Sequence, residues 1–272
     1  MQSDGDAARE PGTGRLVVRL RNRRGVGRAE LAARVGISVP DLERLETGQW
    51  LPDRDTLMRL AEQLDLPLRT CNELLTSAGH PAPYAETAVQ EPRMAGLRAM
   101  LDHVLRGYGD CPAMAVDRMW NLVAANEAAG LITDAVPQAL RFPQINVLRT
   151  SVHPDCLARW TVNSAEWAGD LLGRVLRKAE ETQDQDLAAL YQELCAYHPG
   201  PHPPPATPPR RFSLLRINRE GEELALVNVE MTFALPLDVT SDEISVQAFL
   251  PADAATADAL RRRAAAAQRR SH

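Results

Sequence analysis

Residues Arg28–Glu46, RAELAARVGISVPDLERLE, carry side-chain types at the spacing of a helix-turn-helix, a unit built to hold nucleic acid. Ala32 is small where a second helix must cross the first closely. Gly36 supplies the positive φ that ends the first helix in a tight turn. Leu31, Val35, Ile37, Leu42 and Leu45 fall where side chains pack between the two helices. Ser38 reads as the N-cap of the second helix, with Asp41 three residues on as its capping partner. Pro40 is tolerated because it stands in the first helical turn, where no intrahelical donor is lost. An ordinary helical hairpin would need only some of these residues. The chemistry such a unit offers is recognition of DNA rather than the making or breaking of bonds.

Other chemistries lack their residues. Gly25-Val26-Gly27 resembles the start of a dinucleotide loop, but a basic helix precedes it and Glu30 replaces the third glycine. There is no P-loop, no Gly-x-Ser-x-Gly elbow and no zinc-protease motif. His153 and Cys156, even joined by His198 and His202, lack the further ligands a metal needs. His153-Pro154 reads instead as a helix end with a satisfied imidazole. With no nucleophile–base pair or cofactor motif, no catalytic residue is nominated and the chain is read as a non-enzyme.

The elements that hold these residues follow from length and period. A chain of 272 residues suggests two domains. Its 44% apolar residues bury a core without disulfide or metal staples. Four scattered cysteines suit reduced thiols in a cytoplasm. No apolar run approaches the ~20 residues needed to span a bilayer, and the N-terminus has no secretory leader. A net charge of −5 excludes a wholly basic coat but not a local patch, and six arginines from Arg15 to Arg28 have no acid between them.

Residues 1–13 read as a disordered tail, 14–78 as five short helices, and 79–91 as a Pro- and Ala-rich linker. Met94, Leu97, Leu101, Val104 and Leu105 mark a connecting helix ending near Gly107. Its stripe Leu97, Leu101, Val104 and Tyr108 suits either a second copy or the chain's own second domain. AMAVD and WNLVAAN read as strands meeting at Arg118-Met119, with Asn126 as the next helix cap. Residues 161–196 are helical, and the proline block 199–211 is an exposed loop. Ala225, Val227, Val229, Met231 and Phe233 then alternate as one buried strand face, followed by Ile244, Val246 and Ala248. Glu220-Gly221 is a hairpin turn. A basic helix, Ala254–Arg270, closes the chain, with 263–272 read as its fraying tail. The fold class is α+β.

Residues 16–75, including LETGQWLPDRDTLMRLAEQLDL, resemble the Cro/C1-type (XRE) helix-turn-helix regulators. The resemblance implies that Val39–Glu46 is the recognition helix and that double-stranded DNA is the partner. It places Arg28 on a phosphate, Arg44 on phosphate or a base edge, and Gln49 and Trp50 near the DNA backbone. Ser38, Val39, Asp41 and Glu43 stand at the groove, with Arg19 and Arg23 of the first helix beside it. Val39, Asp41 and Glu43 take positions that often carry Gln, Ser, Arg or Lys, so either the operator is cytosine- and thymine-rich on the contacted strand or binding leans on the first helix's arginines. A helix-turn-helix decayed into an interaction module is the competing reading.

From 92 to 262, PAMAVDRMWNLVAANEAA, INVLRTSVHPD, VNSAEWAGDLL and VQAFLPADAATADALR resemble the ligand-binding domain of MmyB-like regulators. That resemblance implies a PAS-like sheet with helices over one face, enclosing an apolar cavity for a fatty-acid-like ligand and requiring no other cofactor. Met114, Val116, Leu148, Val152, Leu171 and Met231 are the candidate walls, Trp160 and Trp167 the rim, and Arg149 and His153 the grip on an anionic head. One small helix-turn-helix reads too few base pairs alone, so a homodimer is expected. The whole reads as a cytoplasmic transcription regulator, with no membrane partner.

Overall fold

A computed structural model describes residues 12–134, 136–198, 214–234 and 236–270. The proline block and most of the expected N-terminal tail lie outside the described residues. The chain divides into two compact units: one runs to Thr87 and includes residues 235–242, and the other holds the remainder.

The first unit is five helices: α1 (Thr13–Arg23), α2 (Arg28–Val35), α3 (Val39–Glu46), α4 (Arg54–Gln63) and α5 (Leu68–Ser77). Their apolar faces meet in one core, where Val17, Leu31, Leu42, Leu45, Leu57, Leu60, Leu74 and Leu75 are fully buried. Gly36 takes φ 77° and its N–H closes α2 on the Ala32 carbonyl, as the turn between α2 and α3 requires. The Ser38 hydroxyl accepts the Asp41 N–H at 3.1 Å, and the Asp53 carboxylate caps α4 through the Thr56 N–H at 2.8 Å. Thr13 is already buried in α1, one residue inside the expected tail. Beside it, a Cβ on Gly14 would collide with the carbonyl oxygens of Leu45 and Glu46, so glycine sets how closely α1 approaches α3. The stretch expected to be linker is tied down as far as Thr87. Asn72 exchanges two hydrogen bonds with the Tyr84 backbone, at 2.8 and 3.1 Å. The Thr87 hydroxyl donates to Asp238 at 2.6 Å, and the Leu68 N–H donates to Asp242 at 2.8 Å.

The second unit contains α6 (Ala95–Gly107), β1 (Ala113–Val116), β2 (Leu122–Ala125), α7 (Gly130–Thr133), α8 (Val147–Val152), α9 (Ser164–Thr182), α10 (Gln185–Tyr197), β3 (Leu214–Arg219), β4 (Glu222–Thr232), β5 (Ser245–Pro251) and α12 (Ala254–Arg270). A short α11 (Val239–Glu243) lies between β4 and β5. The strands form one antiparallel sheet in the order β2-β1-β5-β4-β3. Glu220 and Gly221, both at positive φ, make the β3–β4 turn. Asn126 accepts the N–H groups of both Ala113 and Ala129 through Oδ1, at 3.0 and 3.1 Å, and so fastens the segment after β2 to β1.

Both sheet faces are covered, where helices over one face were expected. On one, Met114, Val116, Leu215, Ile217, Leu224, Leu226 and Phe249 join a core with α8, α9 and α10. On the other, Ala113, Ala115, Val246 and Ala248 pack on Leu101 and Leu105 of α6. The stripe Leu97, Leu101, Val104 and Tyr108 therefore packs within its own domain, and Leu101 is 1% exposed. Leu101→Ala is accordingly expected to lower stability by about 2–5 kcal/mol. A denaturant midpoint for L101A unchanged from the parent would contradict that packing. α12 does not end as a loose tail at 263. Ala259 and Leu260 are buried, and Arg262 and Arg263 both reach Glu222 of β4.

Candidate DNA-recognition surface and ligand cavity

The turn after Gly36 leaves the outer side of α3 free. Val39 is 41% exposed, and Pro40, Glu43, Arg44, Thr47 and Gln49 are exposed with it. This is the surface a recognition helix presents. Its three acids are each engaged by basic or hydroxyl groups. Asp41 takes a 2.6 Å hydrogen bond from the Ser38 hydroxyl and pairs with Arg44; together these hold its carboxyl below the usual range. Glu43 lies 3.6 Å from Arg28. Glu46 is buried, with Arg21 Nε at 2.7 Å on one oxygen and Arg28 Nη2 at 2.7 Å on the other. The acidic character that counts against a recognition helix is thus compensated in place.

Arg28 is fixed by Glu46 and half-exposed at the start of α2, and Arg44 stands on the outer side of α3. Arg23 lies exposed at the end of α1. Arg19 is half-buried, with its Nε meeting no acceptor among the described residues. Trp50 is half-buried against the helical core, so its ring packs as well as borders the surface. Glu46 itself went unnoticed in the sequence, where it read only as the last residue of a helix.

The second unit has a cavity between α8, α9 and the strands β4 and β5. It measures about 280 Å³ including its mouth, while its enclosed part is about the size of one water molecule. Trp120, Val147, Leu148, Ser151, Trp167, Leu171, Arg174, Asn228, Gln247 and Phe249 line it. Each arrives by a local device. Asp117 Oδ1 accepts the N–H groups of Met119 and Asn121 at 2.8 and 2.9 Å, a tight turn that sets Trp120 at φ 58°. Asn146 caps α8 through the Arg149 N–H and also donates to the Met119 carbonyl at 2.7 Å. Trp167, Leu171 and Arg174 recur at i, i+4 and i+7 along α9, so they share one helical face. Asn228 pairs with Phe249 across β4 and β5, which turns both side chains, with Gln247, toward the helices.

Of the ten residues nominated for the ligand, Leu148, Trp167 and Leu171 line this cavity. Met114, Val116 and Val152 are buried in the adjoining core without reaching the lining. Met231 lies on the opposite sheet face, packed with the α6 cluster, because it pairs with Val246 rather than Gln247. Trp160 lies between the guanidinium groups of Arg159 and Arg219, at 3.9 and 4.6 Å from its ring centre, away from the lining.

Arg149 and His153 belong to another cluster. Arg149 donates to both oxygens of Glu193 at 2.6 and 2.7 Å, Tyr197 donates to Glu193 at 2.7 Å, and the Tyr197 ring meets His153 edge-on at 4.7 Å. This ties α8 to α10. The Arg149 hydrogen bonds hold the Glu193 carboxyl below its ordinary value of 4.5, against burial. A carboxyl depressed in the folded state stabilises above its unfolded pKa and loses that contribution as pH falls through the folded value. Glu193→Gln should therefore flatten the fall in melting temperature below about pH 4.5. An identical pH profile for E193Q and the parent would contradict the role given to the pair.

The first unit is a helix-turn-helix with the outer side of α3 exposed, and the second is a sheet domain with a small cavity. The comparisons say what each is. The family of MmyB-like transcription regulator ligand binding domains matches residues 97–262, and a helix-turn-helix domain family matches residues 14–74. The first match covers more than half of the chain, and the chain belongs to that family: it is a ligand-regulated transcription regulator of the MmyB-like type. A search of curated proteins returned no match. A solved structure described as an RNA-binding Light-Oxygen-Voltage receptor is similar at 13% identity and TM-score 0.30, over 100% of this chain and 70% of that one. A likeness at that score carries no weight for fold or function. Among the described residues, no helix is long and apolar enough to cross a membrane and no group of His, Cys, Asp and Glu forms a metal site.

Proposed function

We propose that this regulator acts as a cytoplasmic homodimer and that an apolar, fatty-acid-like small molecule occupying the cavity of the second unit controls its hold on DNA. The observation that carries this reading is the match of residues 97–262 to a family of ligand binding domains, and the small cavity of that unit is where the ligand is placed. Val147, Leu148, Leu171, Trp120 and Phe249 offer apolar walls, yet the enclosed space is only about one water molecule in size. Any ligand of several carbons must part α8 and α9 from β4 and β5, so binding and conformational change are one event. The two strands that wall the cavity are joined through residues 235–242, which belong to the first unit. Burial of about 0.8 kcal/mol per methylene, less the cost of ordering the chain and fixing the complex, sets an expected affinity near micromolar.

Native mass spectrometry of the purified full chain tests both parts of the reading. Two chains carrying an apolar ligand, or two chains that take one up on addition, are expected. A monomer whose mass and melting temperature ignore fatty acids of every chain length would overturn it.

A further inference from the structure

The outer side of α3 carries few donors. Pro40, Arg44 and Thr47 recur at i, i+4 and i+7, opposite the buried Leu42 and Leu45, so they project farthest from the helical core. Pro40 has no side-chain donor. The Thr47 hydroxyl is spent within the helix, on the carbonyls of Glu43 at 2.9 Å and Arg44 at 3.2 Å. Arg44 therefore holds the outward donors of this stripe, and its side chain is 57% exposed. That side chain is anchored. Its Nη2 donates to Asp41 Oδ1, and the Ser38 hydroxyl donates to Asp41 Oδ2 at 2.6 Å. The same hydroxyl accepts the Asp41 N–H at 3.1 Å. The capping turn of α3 thus fixes the carboxylate, and the carboxylate fixes the guanidinium. Both Asp41 oxygens already accept from the protein, and Asp41 stands on the flank of α3 rather than on its outermost stripe. It is not the group that reads cytosine N4.

Resting on the reading of the first unit as a sequence-specific DNA-binding module, we infer that Arg44 reads a guanine on the contacted strand of the operator, with Asp41 as its positioning residue. The guanidinium has five N–H donors, and serving Asp41 leaves a pair for the guanine O6 and N7 acceptors. A phosphate is the poorer partner for this pair. Asp41 offsets the positive charge of Arg44 and repels a second anion, whereas a base edge is neutral. The acidic residue that counts against a recognition helix in the sequence becomes, in this arrangement, the device that aims its arginine.

The test selects sites for the full chain from a random double-stranded DNA library, then measures affinity for the selected site with each base pair in turn at every position. At least one position should hold guanine, preferred roughly tenfold or more over the other bases. Arg44→Ala should level the four bases at that position and leave the preferences elsewhere in the site intact. Arg44→Lys, a point charge in place of a fork, should keep more of the overall affinity but little of the guanine preference. Asp41→Ala should raise affinity for every sequence, because an anion leaves the surface, while the guanine preference falls several-fold. A uniform rise in affinity with that preference intact would make Asp41 a surface acid only and overturn its role. A selected site without guanine, or one whose guanine is indifferent to Arg44→Ala, overturns the readout and leaves the DNA-binding unit standing. Selection of no site at all overturns the reading of that unit together with the inference.

Discussion

Glu46→Ala should destabilise the helical unit by about 3–5 kcal/mol, the cost of breaking a buried ion pair from one side. The Glu46 side chain is 2% exposed and Arg21, its partner, 12%. Removing the carboxylate leaves the Arg21 guanidinium buried without a counter-charge. The third member, Arg28, is 41% exposed and is rehydrated at little cost, so Arg28→Ala should change stability by under about 1 kcal/mol. The contrast matters for function. A double variant of Arg28 and Arg44 is expected to remain folded and to remove two cations from the surface proposed to face DNA, whereas E46A is expected to lose DNA binding by losing the unit. Chemical denaturation of the three variants separates the cases. An E46A midpoint within error of the R28A midpoint would contradict the buried triad.

Trp167→Ala should cost about 3–5 kcal/mol as well, here by leaving a hole in the core of the second unit. The ring is 2% exposed and packs against Phe249, centroid to centroid at 6.3 Å. At roughly 2–4 °C per kcal/mol for a domain of this size, the melting temperature should fall by about 10 °C. Lost ligand binding in W167A would therefore report lost structure, and the conservative Trp167→Phe is the informative change. Calorimetry that finds W167A as stable as the parent would mean the ring does not fill the core.

The helical unit was almost wholly legible in the sequence, because its devices are local. Gly36, Ser38 and the i, i+3, i+4 leucines act within a turn or two of themselves. What stayed hidden there were the long-range pairs. Glu46 with Arg21 joins residues 25 apart, and Gly14 matters only because α3 passes against it. In the second unit the strands were legible but one face was overlooked. Met231 and Phe233 with Val246 and Ala248 mark the face that meets α6, while Val229 on the same face is 38% exposed. The cavity face is set by Leu224, Leu226, Asn228, Gln247 and Phe249, one residue out of phase. Apolar and polar residues do not separate cleanly by face here. Met231 alternates with the apolar residues of one face, and Asn228 and Gln247 stand as polar residues on the cavity face, so hydrophobic alternation alone points to the wrong side. Arg174 carried a signal in the sequence, since it extends the Trp167–Leu171 stripe by one turn.

Sequence-specific DNA binding is the defining property of a regulator. Selection of fragments from genomic DNA by the purified full chain, followed by affinity measurements across a range of salt, tests it most directly. One recurrent sequence should be enriched, with log K falling linearly against log salt at about −0.9 per phosphate contact and with binding lost in the Arg28→Ala, Arg44→Ala double variant. No enriched sequence, or a complex indifferent to salt and to those two arginines, would contradict the regulator and favour a helix-turn-helix turned to another use.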